Sequence, residues 1–433
     1  MAMAKKSDAK PKRELLEPGQ LICSETTRYV VMDVLGSGGF GDVYKVYREE
    51  NVNLFYAMKT EDEKVNDRLR RLKVEAEVLA ACGQAKRPHF LSLIDKGRTS
   101  KFKFIVMEVV GPSLDKVRQG LSSKCFTRPT ATKICVQLLE ALRDLHAIGY
   151  LHRDLKPQNF SIGLTERKLI YMLDFGVSRK YLTKDGKHIT PRVKVAFMGT
   201  IRFASRGSLR LEEQSRRDDL ESMMFVMADA FNETYLHWKG QRSQMMVLQL
   251  KDCFMNERGP HVDGILRNLP PEYVRCLRYV NKLEFDSSPS YDYLINEMKM
   301  PVKTCSLPLD WMTELYTAPP TQCPPLNRMT AVVTQLPAIP WSGETTNTTQ
   351  TMQTARMKAT PNNRRKPSCV VKAKEAAVAG HWDALLKTVV RRRPTDFRTP
   401  SLLDAVREKE KEATKVVKEE AKEDKKEEDT QPD

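Results

Sequence analysis

Short hydrophobic runs typical of β-strands are concentrated in the first quarter of the chain, after a polar start. Three runs share this pattern: residues 29–35, 54–59 and 102–107. A helix is predicted between the second and third runs, because Leu72, Ala76 and Leu79 recur at helical spacing. Glu75 is the one carboxylate on that stripe, and it is favoured over Glu77 as the residue that points inward.

The hydrophobic period changes after residue 130. Residues 130–150 form the strongest amphipathic helix, whose apolar face carries Ile134, Leu138, Leu142 and Leu145. Ile162 and the run 169–173 then predict a short hairpin. Gly111 and Pro112 interrupt the preceding strand, so a hinge is predicted at residues 108–112.

Both ends of the chain lack this periodicity. Residues 1–28 are polar and basic, which predicts a disordered leader. Residues 317–433 are Pro/Thr-rich at first and Lys/Glu-rich at the end, which predicts a disordered tail. A solvated charged tail is the favoured interpretation, and a docking arm for an acidic filament or another partner is the alternative.

Charge and cysteine usage narrow the function classes. The 433 residues include 72 basic and 56 acidic ones, a formal charge of +16. Basic tails that keep the protein soluble are the favoured interpretation of this excess, and binding to acidic partners is the alternative. Nine cysteines without a CxxC pair argue against a disulfide framework and a structural zinc site.

No run is long enough to span a bilayer, and residues 1–14 are not predicted to be a secretory signal. We expect a cytoplasmic, monomeric protein, with the nucleus as a second compartment. The basic clusters lack interleaved aromatics, so no specific nucleic-acid partner is expected.

Side chains that could take part in catalysis are concentrated at residues 152–159, His-Arg-Asp-Leu-Lys-Pro-Gln-Asn, which are followed by Asp174-Phe175-Gly176. This set suits phosphoryl transfer, in which a protein positions two oxygens and neutralises charge with metal ions. Asp154 is predicted to accept the proton of a substrate hydroxyl, and Lys156 to contact the γ-phosphate. Asn159 and Asp174 are predicted to hold Mg²⁺.

Residues 36–43 fit the pattern G-x-G-x-x-G-x-V between two strand-like runs, whereas a dinucleotide fold needs a helix directly after the glycines. Glycines let the backbone approach phosphate oxygens. Lys59 follows Gly41 by eighteen residues and is predicted to grip phosphates with Glu75 as its partner. The predicted ATP-binding residues are Leu35, Gly36, Ser37, Gly38, Gly39, Phe40, Gly41, Asp42, Val43, Ala57, Lys59, Glu75, Met107, Glu108 and Val110.

These motifs resemble those of protein kinases, and Lys156 at its position resembles the serine/threonine kinases. The decapeptide at residues 213–222, EQSRRDDLES, is similar to the signature of the casein kinase 1 superfamily. The run YMLDFG at 171–176, with PPE at 270–272 and LDW at 309–311, looks most like the tau-tubulin kinase branch.

The resemblance covers residues 29–316 and implies an α+β, bilobal protein kinase fold. Its N-lobe, 29–107, would be an antiparallel sheet with one main helix, and its C-lobe, 113–316, would be mostly helical. Asp219 would begin a buried helix and anchor the backbone of residues 152–159, called here the catalytic loop. Thr200 would orient Asp154 and Lys156.

The resemblance also implies that the protein phosphorylates protein serine or threonine with Mg-ATP, often on acidic or already phosphorylated segments. Cytoskeletal filaments are a further candidate partner. Arg192, Lys194 and Arg242 could form the matching anion pocket, and three solvated surface cations are an equally good interpretation. One departure is Ala204-Ser205-Arg206, which stands where most kinases have a closing Ala-Pro-Glu.

Two rival functions are carried with this one. The first is a catalytically silent kinase-fold scaffold that acts through its tails, against which the intact set of site residues argues. The second is a filament- or nucleic-acid-binding protein driven by positive charge. Ser161 is a further departure, since it stands where kinases often place an apolar residue under adenine; its hydroxyl is expected either to weaken nucleotide packing modestly or to change only the fit of inhibitors.

Overall fold

A computed structural model describes residues 15–38, 41–63, 71–183, 185–303 and 305–315 of the chain. Its N-terminal part is a six-stranded antiparallel sheet in the order β1-β2-β3-β4-β6-β5. The strands are β1 (Leu21–Cys23), β2 (Arg28–Gly38), β3 (Gly41–Arg48), β4 (Asn51–Asp62), β5 (Leu93–Arg98) and β6 (Phe102–Glu108). One helix, α1 (Arg71–Gln84), accompanies this sheet in the described residues.

The two faces of the sheet serve different cores, because side chains alternate along each strand. Ala57 pairs with Met107, and both join the large core that continues into the helical part. Their sequence neighbours Met58 and Val106 belong to a separate core on the other face. Lys59 lies two residues beyond Ala57, so the alternation directs it to the face shared with the helical part.

The start of α1 is stabilised by a buried carboxylate of the sheet. Glu61, on β4, accepts hydrogen bonds from the backbone N–H groups of Arg71 (2.9 Å) and Leu72 (3.3 Å). These are two of the N–H groups that a helix leaves without an internal partner. These two hydrogen bonds therefore connect the first turn of α1 to the strand that carries Lys59.

The C-terminal part is mainly helical. Its helices are α2 (Leu114–Gly120), α3 (Arg128–Ala147), α4 (Arg206–Leu209), α5 (Arg216–Phe231), α6 (Gln244–Met255), α7 (Pro260–Asn268), α8 (Pro271–Val280), α9 (Tyr291–Lys299) and α10 (Asp310–Glu314). Short strands β7 (Tyr150–Leu151), β8 (Phe160–Ile162), β9 (Ile170–Met172) and β10 (Arg179–Lys180) form two small ladders beside them. The predicted α+β class, with an antiparallel N-lobe and a helical C-lobe, is confirmed.

The last described helix closes this lobe. Asp310, at the start of α10, accepts hydrogen bonds from the hydroxyls of Thr127 and Thr130, both at 2.7 Å. Trp311 is fully buried and packs edge-on against Phe126. The Leu-Asp-Trp sequence therefore ties the end of the lobe to the beginning of α3.

The structure corrects one predicted boundary. Residues 21–28 are not a disordered leader, because Leu21, Ile22 and Cys23 pair with Val30, Tyr29 and Arg28 of β2. A three-residue strand has too few apolar positions to show a period, which is why the pattern did not reveal it. Residues 1–14, Gly39, Phe40 and the predicted tail lie outside the described residues. None of the described helices is long and apolar enough to cross a bilayer.

Candidate active site

A buried ion pair joins β4 to α1. The ammonium of Lys59 donates to Glu75 Oε2 at 2.6 Å and to Asp174 Oδ1 at 2.9 Å. The side chain of Glu75 is 4% exposed, whereas Glu77 is exposed. Burial acts to lower the pKa of Lys59, but the two carboxylates outweigh it and raise the pKa, so the ammonium stays charged. The structure thus brings together two elements of the N-lobe and the Asp-Phe-Gly segment of the C-lobe.

The carboxylate of Asp174 is held in its ionised form and is partly exposed to solvent. Burial acts to raise its pKa, but the charge and hydrogen bond of Lys59 hold the pKa below its usual value. Its side chain is 45% exposed, so a carboxylate oxygen can still bind a cation. Asp174 has a φ of 64°, a left-handed conformation that is strained for a residue with a side chain. The next residue, Phe175, is buried and packs against the rings of Phe90 and His152, and this packing stabilises the strained turn.

Asp154, Lys156 and Thr200 form a second hydrogen-bonded group. Lys156 Nζ donates to Asp154 Oδ2 at 2.6 Å and reaches Thr200 Oγ1 at 3.4 Å. The Thr200 hydroxyl donates to Asp154 Oδ1 at 2.8 Å. Both carboxylate oxygens of Asp154 are therefore held, and the predicted orientation of Asp154 and Lys156 by Thr200 is confirmed.

Gly199 permits this approach. A Cβ at position 199 would lie 2.7 Å from the carbonyl oxygen of Arg153 and 3.5 Å from Asp154 Oδ1. The φ of Gly199 is also +107°, which L side chains rarely adopt. Glycine is required here for both steric reasons, and it lets the backbone before Thr200 pass directly over the catalytic loop.

Asn159 lies beside the Asp-Phe-Gly segment. Its side-chain Nδ2 donates to the carbonyl of Asp154 at 2.8 Å, and its own carbonyl accepts from Leu173 N at 2.8 Å. The amide oxygen is then the atom of this side chain that can bind a cation. The amide of Asn159 and the carboxylate of Asp174 supply hard oxygens, which suit Mg²⁺. Within the described residues no three His, Cys, Asp or Glu side chains cluster as a metal site.

The catalytic loop is anchored by a buried carboxylate from α5. Asp219 accepts from the backbone N–H of His152 at 2.7 Å and of Arg153 at 2.9 Å. Burial acts to raise its pKa, but the hydrogen bond and charge of His146 keep the pKa below its usual value. Arg153 has a φ of 68°, so this anchor holds a strained residue immediately before Asp154. The predicted role of Asp219 is confirmed.

The glycine-rich hairpin connects β2 and β3. Gly36 pairs with Val43, and Val43 pairs with Lys59, which places the hairpin above the lysine. A Cβ at Gly41 would lie 1.9 Å from the carbonyl oxygen of Thr60, so this position also requires glycine. Leu35, on β2, is 44% exposed, whereas Ala57 on β4 and Met107 on β6 are buried.

Sequence reasoning missed Arg71. It lies one helical turn before Glu75 on α1, and a Cβ on Gly176 would contact both its Cβ (3.0 Å) and Asp174 Oδ1 (3.6 Å). Burial lowers its pKa, while Asp174 and Asp154 are among the carboxylates that act against this. The i, i+4 spacing from Glu75 was the available signal, since it places both side chains on one helix face. The site therefore contains a second cation of the N-lobe.

The three residues of the predicted anion pocket differ in their surroundings. Arg192 forms a bidentate contact with the buried carboxylate of Glu213. Arg179 also approaches Glu213, at 3.7 Å. Lys194 and Arg242 are exposed, and no hydrogen bond or common acidic partner connects them to Arg192 within the described part of the chain. The Arg192 side chain is still 47% exposed, and the anion pocket stays a prediction.

Arg206 stands where most kinases have the glutamate of a closing Ala-Pro-Glu, and its side chain connects several helices. Its guanidinium makes bidentate hydrogen bonds to Glu221 (3.0–3.1 Å) and also reaches Asp252 and Asn281. These contacts join α4 to α5, α6 and the end of α8. An arginine at this place therefore provides the tie between the segment before α4 and the helical core.

Comparison with known proteins agrees with this geometry. The model of the protein kinase domain matches residues 29–296. A Caenorhabditis elegans protein named as a serine/threonine-protein kinase is 33% identical over 277 residues, which cover 62% of this chain and 82% of the relative. The serine/threonine-protein kinase spe-6 of the same organism is 32% identical over 316 residues, 70% of this chain and 81% of that protein. The chain therefore belongs to the protein kinase family and is a protein serine/threonine kinase.

Proposed function

We propose that this kinase transfers the γ-phosphoryl group of Mg-ATP to serine or threonine hydroxyls of proteins, with Asp154 as the catalytic base. The observation that carries the proposal is the group formed by Asp154, Lys156 and Thr200, with contacts of 2.6 and 2.8 Å on the two carboxylate oxygens. A carboxylate held in this way is preorganised to receive a hydroxyl proton.

In the proposed reaction the substrate hydroxyl oxygen forms a bond to the γ-phosphorus, and the bond from that phosphorus to the β–γ bridging oxygen breaks. ADP leaves, and the hydroxyl proton passes to Asp154. Lys156 stabilises the charge on the transferring phosphoryl group, and Lys59, held by Glu75, grips the α- and β-phosphates. Mg²⁺ bound at Asp174 and Asn159 would neutralise charge on the β- and γ-phosphates.

The remaining contacts of the nucleotide are proposed for the hairpin and the hinge. Residues 35–43 would cover the phosphates, and Ala57 and Met107 would line the adenine pocket. The backbone of Glu108 and Val110 would pair with the adenine edge. Support comes from the strand register, which places Ala57, Lys59 and Met107 on one face of the sheet.

We further propose that the kinase belongs to the casein kinase 1 superfamily, nearest its tau-tubulin kinase branch. Several contacts support this proposal, since the residues of the 213–222 decapeptide are used structurally. Asp219 anchors the catalytic loop, Glu213 binds Arg192, and Glu221 binds Arg206. The substrates proposed on this basis are acidic, primed or cytoskeletal proteins met in the cytoplasm and nucleus by a monomeric enzyme.

The test is transfer of labelled γ-phosphate from Mg-ATP to three matched peptides that carry an acidic, a phosphorylated or a basic residue near the acceptor serine. Asp154→Asn is the control, because it retains shape and removes the base. Transfer that is lost in Asp154→Asn supports the proposed chemistry, and a preference for the acidic or phosphorylated peptide supports the substrate class. ATP binding without transfer by the intact chain would favour the silent scaffold instead.

A further inference from the structure

Lys251, on α6, is a fully buried lysine whose ammonium bonds to backbone carbonyls. It is 0% exposed, and its Nζ donates to the carbonyl oxygens of Ile201 at 2.8 Å and Ala204 at 2.5 Å. No carboxylate lies within ion-pair distance of it in the described residues. Its ammonium lies 4.7 Å from the ring centroid of Phe225 and 5.4 Å from that of Trp238.

This arrangement is energetically expensive. Removing an ammonium from water without an ionic partner carries a large desolvation penalty, which hydrogen bonds to carbonyls and cation–π contacts offset only in part. Burial lowers the pKa of Lys251 to about 7, and Glu221 offsets that effect only in part. An apolar side chain of similar length would fill the same space at lower cost. The distinctive contribution of Lys251 is therefore the pair of hydrogen bonds that it gives to residues 201–204.

Residues 201–204, called here the docking segment, directly follow the residue that holds the catalytic base. Thr200 donates to Asp154, and the carbonyl of Thr200 accepts from Phe203 N and Ala204 N, both at 2.9 Å. Trp238 Nε1 donates to the carbonyl of Arg202 at 2.7 Å. Carbonyls 201, 202 and 204 thus accept from side chains outside the segment, and Lys251 supplies two of those three bonds.

The side chain of Arg202 provides a further tie on the same segment. It forms an ion pair with the buried Asp229 of α5, which Arg118 of α2 also contacts at 2.9 Å. The docking segment is therefore held from α5, from α6 and from the loop that carries Trp238. Lys251 is the tie that acts on the backbone at both ends of the segment.

We propose that Lys251 is a positioning residue for the protein substrate: by holding the docking segment beside Thr200, it aligns the polypeptide that carries the acceptor hydroxyl with Asp154. The inference rests on the proposed function and deepens it, because it assigns a determinant of peptide binding that lies outside the nucleotide site. Lys59, which is proposed to hold ATP, donates its hydrogen bonds to Glu75 and Asp174 and not to the docking segment. Loss of Lys251 should therefore affect the two substrates unequally.

The experiment compares the full chain with Lys251→Met, which retains length and removes the hydrogen bonds, and with Lys251→Arg, which retains donors and charge. The KM for peptide, the KM for ATP and kcat are measured for each, together with the midpoint of thermal unfolding. We expect Lys251→Met to raise the peptide KM about tenfold while the ATP KM changes less than about twofold, as expected for lost peptide binding. Lys251→Arg should recover part of the peptide KM.

Two controls separate the inference from a general loss of structure. Lys299→Met removes a partly exposed lysine of α9 that pairs with Glu140, and its peptide KM should equal that of the intact chain. Trp238→Phe retains an aromatic ring under Lys251 and removes the bond to Arg202, so it should raise the peptide KM in the same direction. This second variant carries the test if Lys251→Met does not fold.

The outcomes distinguish the inference from the function beneath it. If the intact chain transfers no phosphate to any peptide, the proposed function fails. If the intact chain is active and both Lys251→Met and Trp238→Phe leave the peptide KM unchanged, or change the KM for ATP and peptide equally, the positioning role is overturned and Lys251 serves stability alone.

Discussion

The hydroxyl of Thr200 donates a hydrogen bond to Asp154 across 2.8 Å, although 46 residues of chain separate them. This bond joins the segment after Gly199 to the catalytic loop, and Lys156 completes the group from the other carboxylate oxygen. Thr200 therefore connects the docking segment directly to the proposed base. Its removal should disturb orientation without removing any proposed metal or nucleotide contact.

Replacing Thr200 by Val should lower kcat about 10- to 100-fold, because Asp154 loses the bond that fixes its orientation. The ATP KM should change little, since Lys59 and Asp174 are untouched. Steady-state kinetics with a peptide substrate provide the measurement. Thr200→Ser is the matched control, since it retains the hydroxyl and should stay within a few-fold of the intact chain. Equal activity of Thr200→Val and the intact chain would contradict the prediction.

The ion pair of Lys59 and Glu75 should behave as a unit. Lys59→Met and Glu75→Gln should each reduce kcat/KM for ATP by at least about 100-fold, because the lysine is lost or no longer held against the phosphates. The double variant should be little worse than Lys59→Met alone, which is the signature of two residues that act through one contact. Glu77→Gln, two residues further along the same helix and exposed, is the control and should leave the kinetics unchanged. Fully additive losses would show that Glu75 acts independently of Lys59.

Gly199→Ala should abolish most of the phosphotransfer activity, because the new methyl group would meet the Arg153 carbonyl at 2.7 Å. Relief of that contact would move the backbone before Thr200 away from Asp154. Gly264→Ala is a suitable control, since nothing lies within 4 Å of a Cβ built there. It should retain activity and thermal stability. Comparable activity of the two variants in the peptide assay would refute the steric argument.

Acid should destabilise the C-lobe partly through His237. Burial lowers the pKa of His237 to about 4, from an ordinary value of 6.5, and the nearby His261 adds to this effect. Between these two pH values the unfolded chain binds a proton that the folded chain does not, so the free energy of unfolding falls as pH decreases through this window. Below pH 4 both states are protonated and this loss is complete.

His237→Gln should remove this contribution, which is about 2 kcal/mol between pH 6.5 and pH 5. Urea unfolding of the intact chain and of the variant, measured at pH 7.5 and at pH 5, gives the comparison. At pH 7.5 neither state of the histidine is protonated, so the difference there reports packing alone and serves as the internal control. The variant should lose less stability than the intact chain on going to pH 5. An identical loss in both proteins would assign the acid sensitivity to other groups.

Much of the site was predictable because its chemistry is encoded in short stretches. Asp154, Lys156 and Asn159 lie within six residues, and the glycines of the hairpin require no tertiary information. Glu75 was distinguishable from Glu77 because helical periodicity places it on an apolar face.

Other features depended on contacts between residues far apart in the chain. The strand Leu21–Cys23 is visible only through its pairing with β2, and Arg71 becomes part of the site only when α1 packs over Gly176. The contact between Glu213 and the guanidinium of Arg192 was likewise not predictable, because 21 residues of chain separate them.

The chemistry, the class of fold and the inward direction of Glu75 can therefore be predicted from the chain alone, since motif spacing and hydrophobic period are local properties. Which charges neutralise one another, and which backbone segments are held, depends on contacts that form only in the folded protein. Ion pairs such as Arg206 with Glu221, and the bonds from Lys251 to residues 201–204, depend on how helices pack. Packing is set by the whole core, so no short pattern in the chain specifies it.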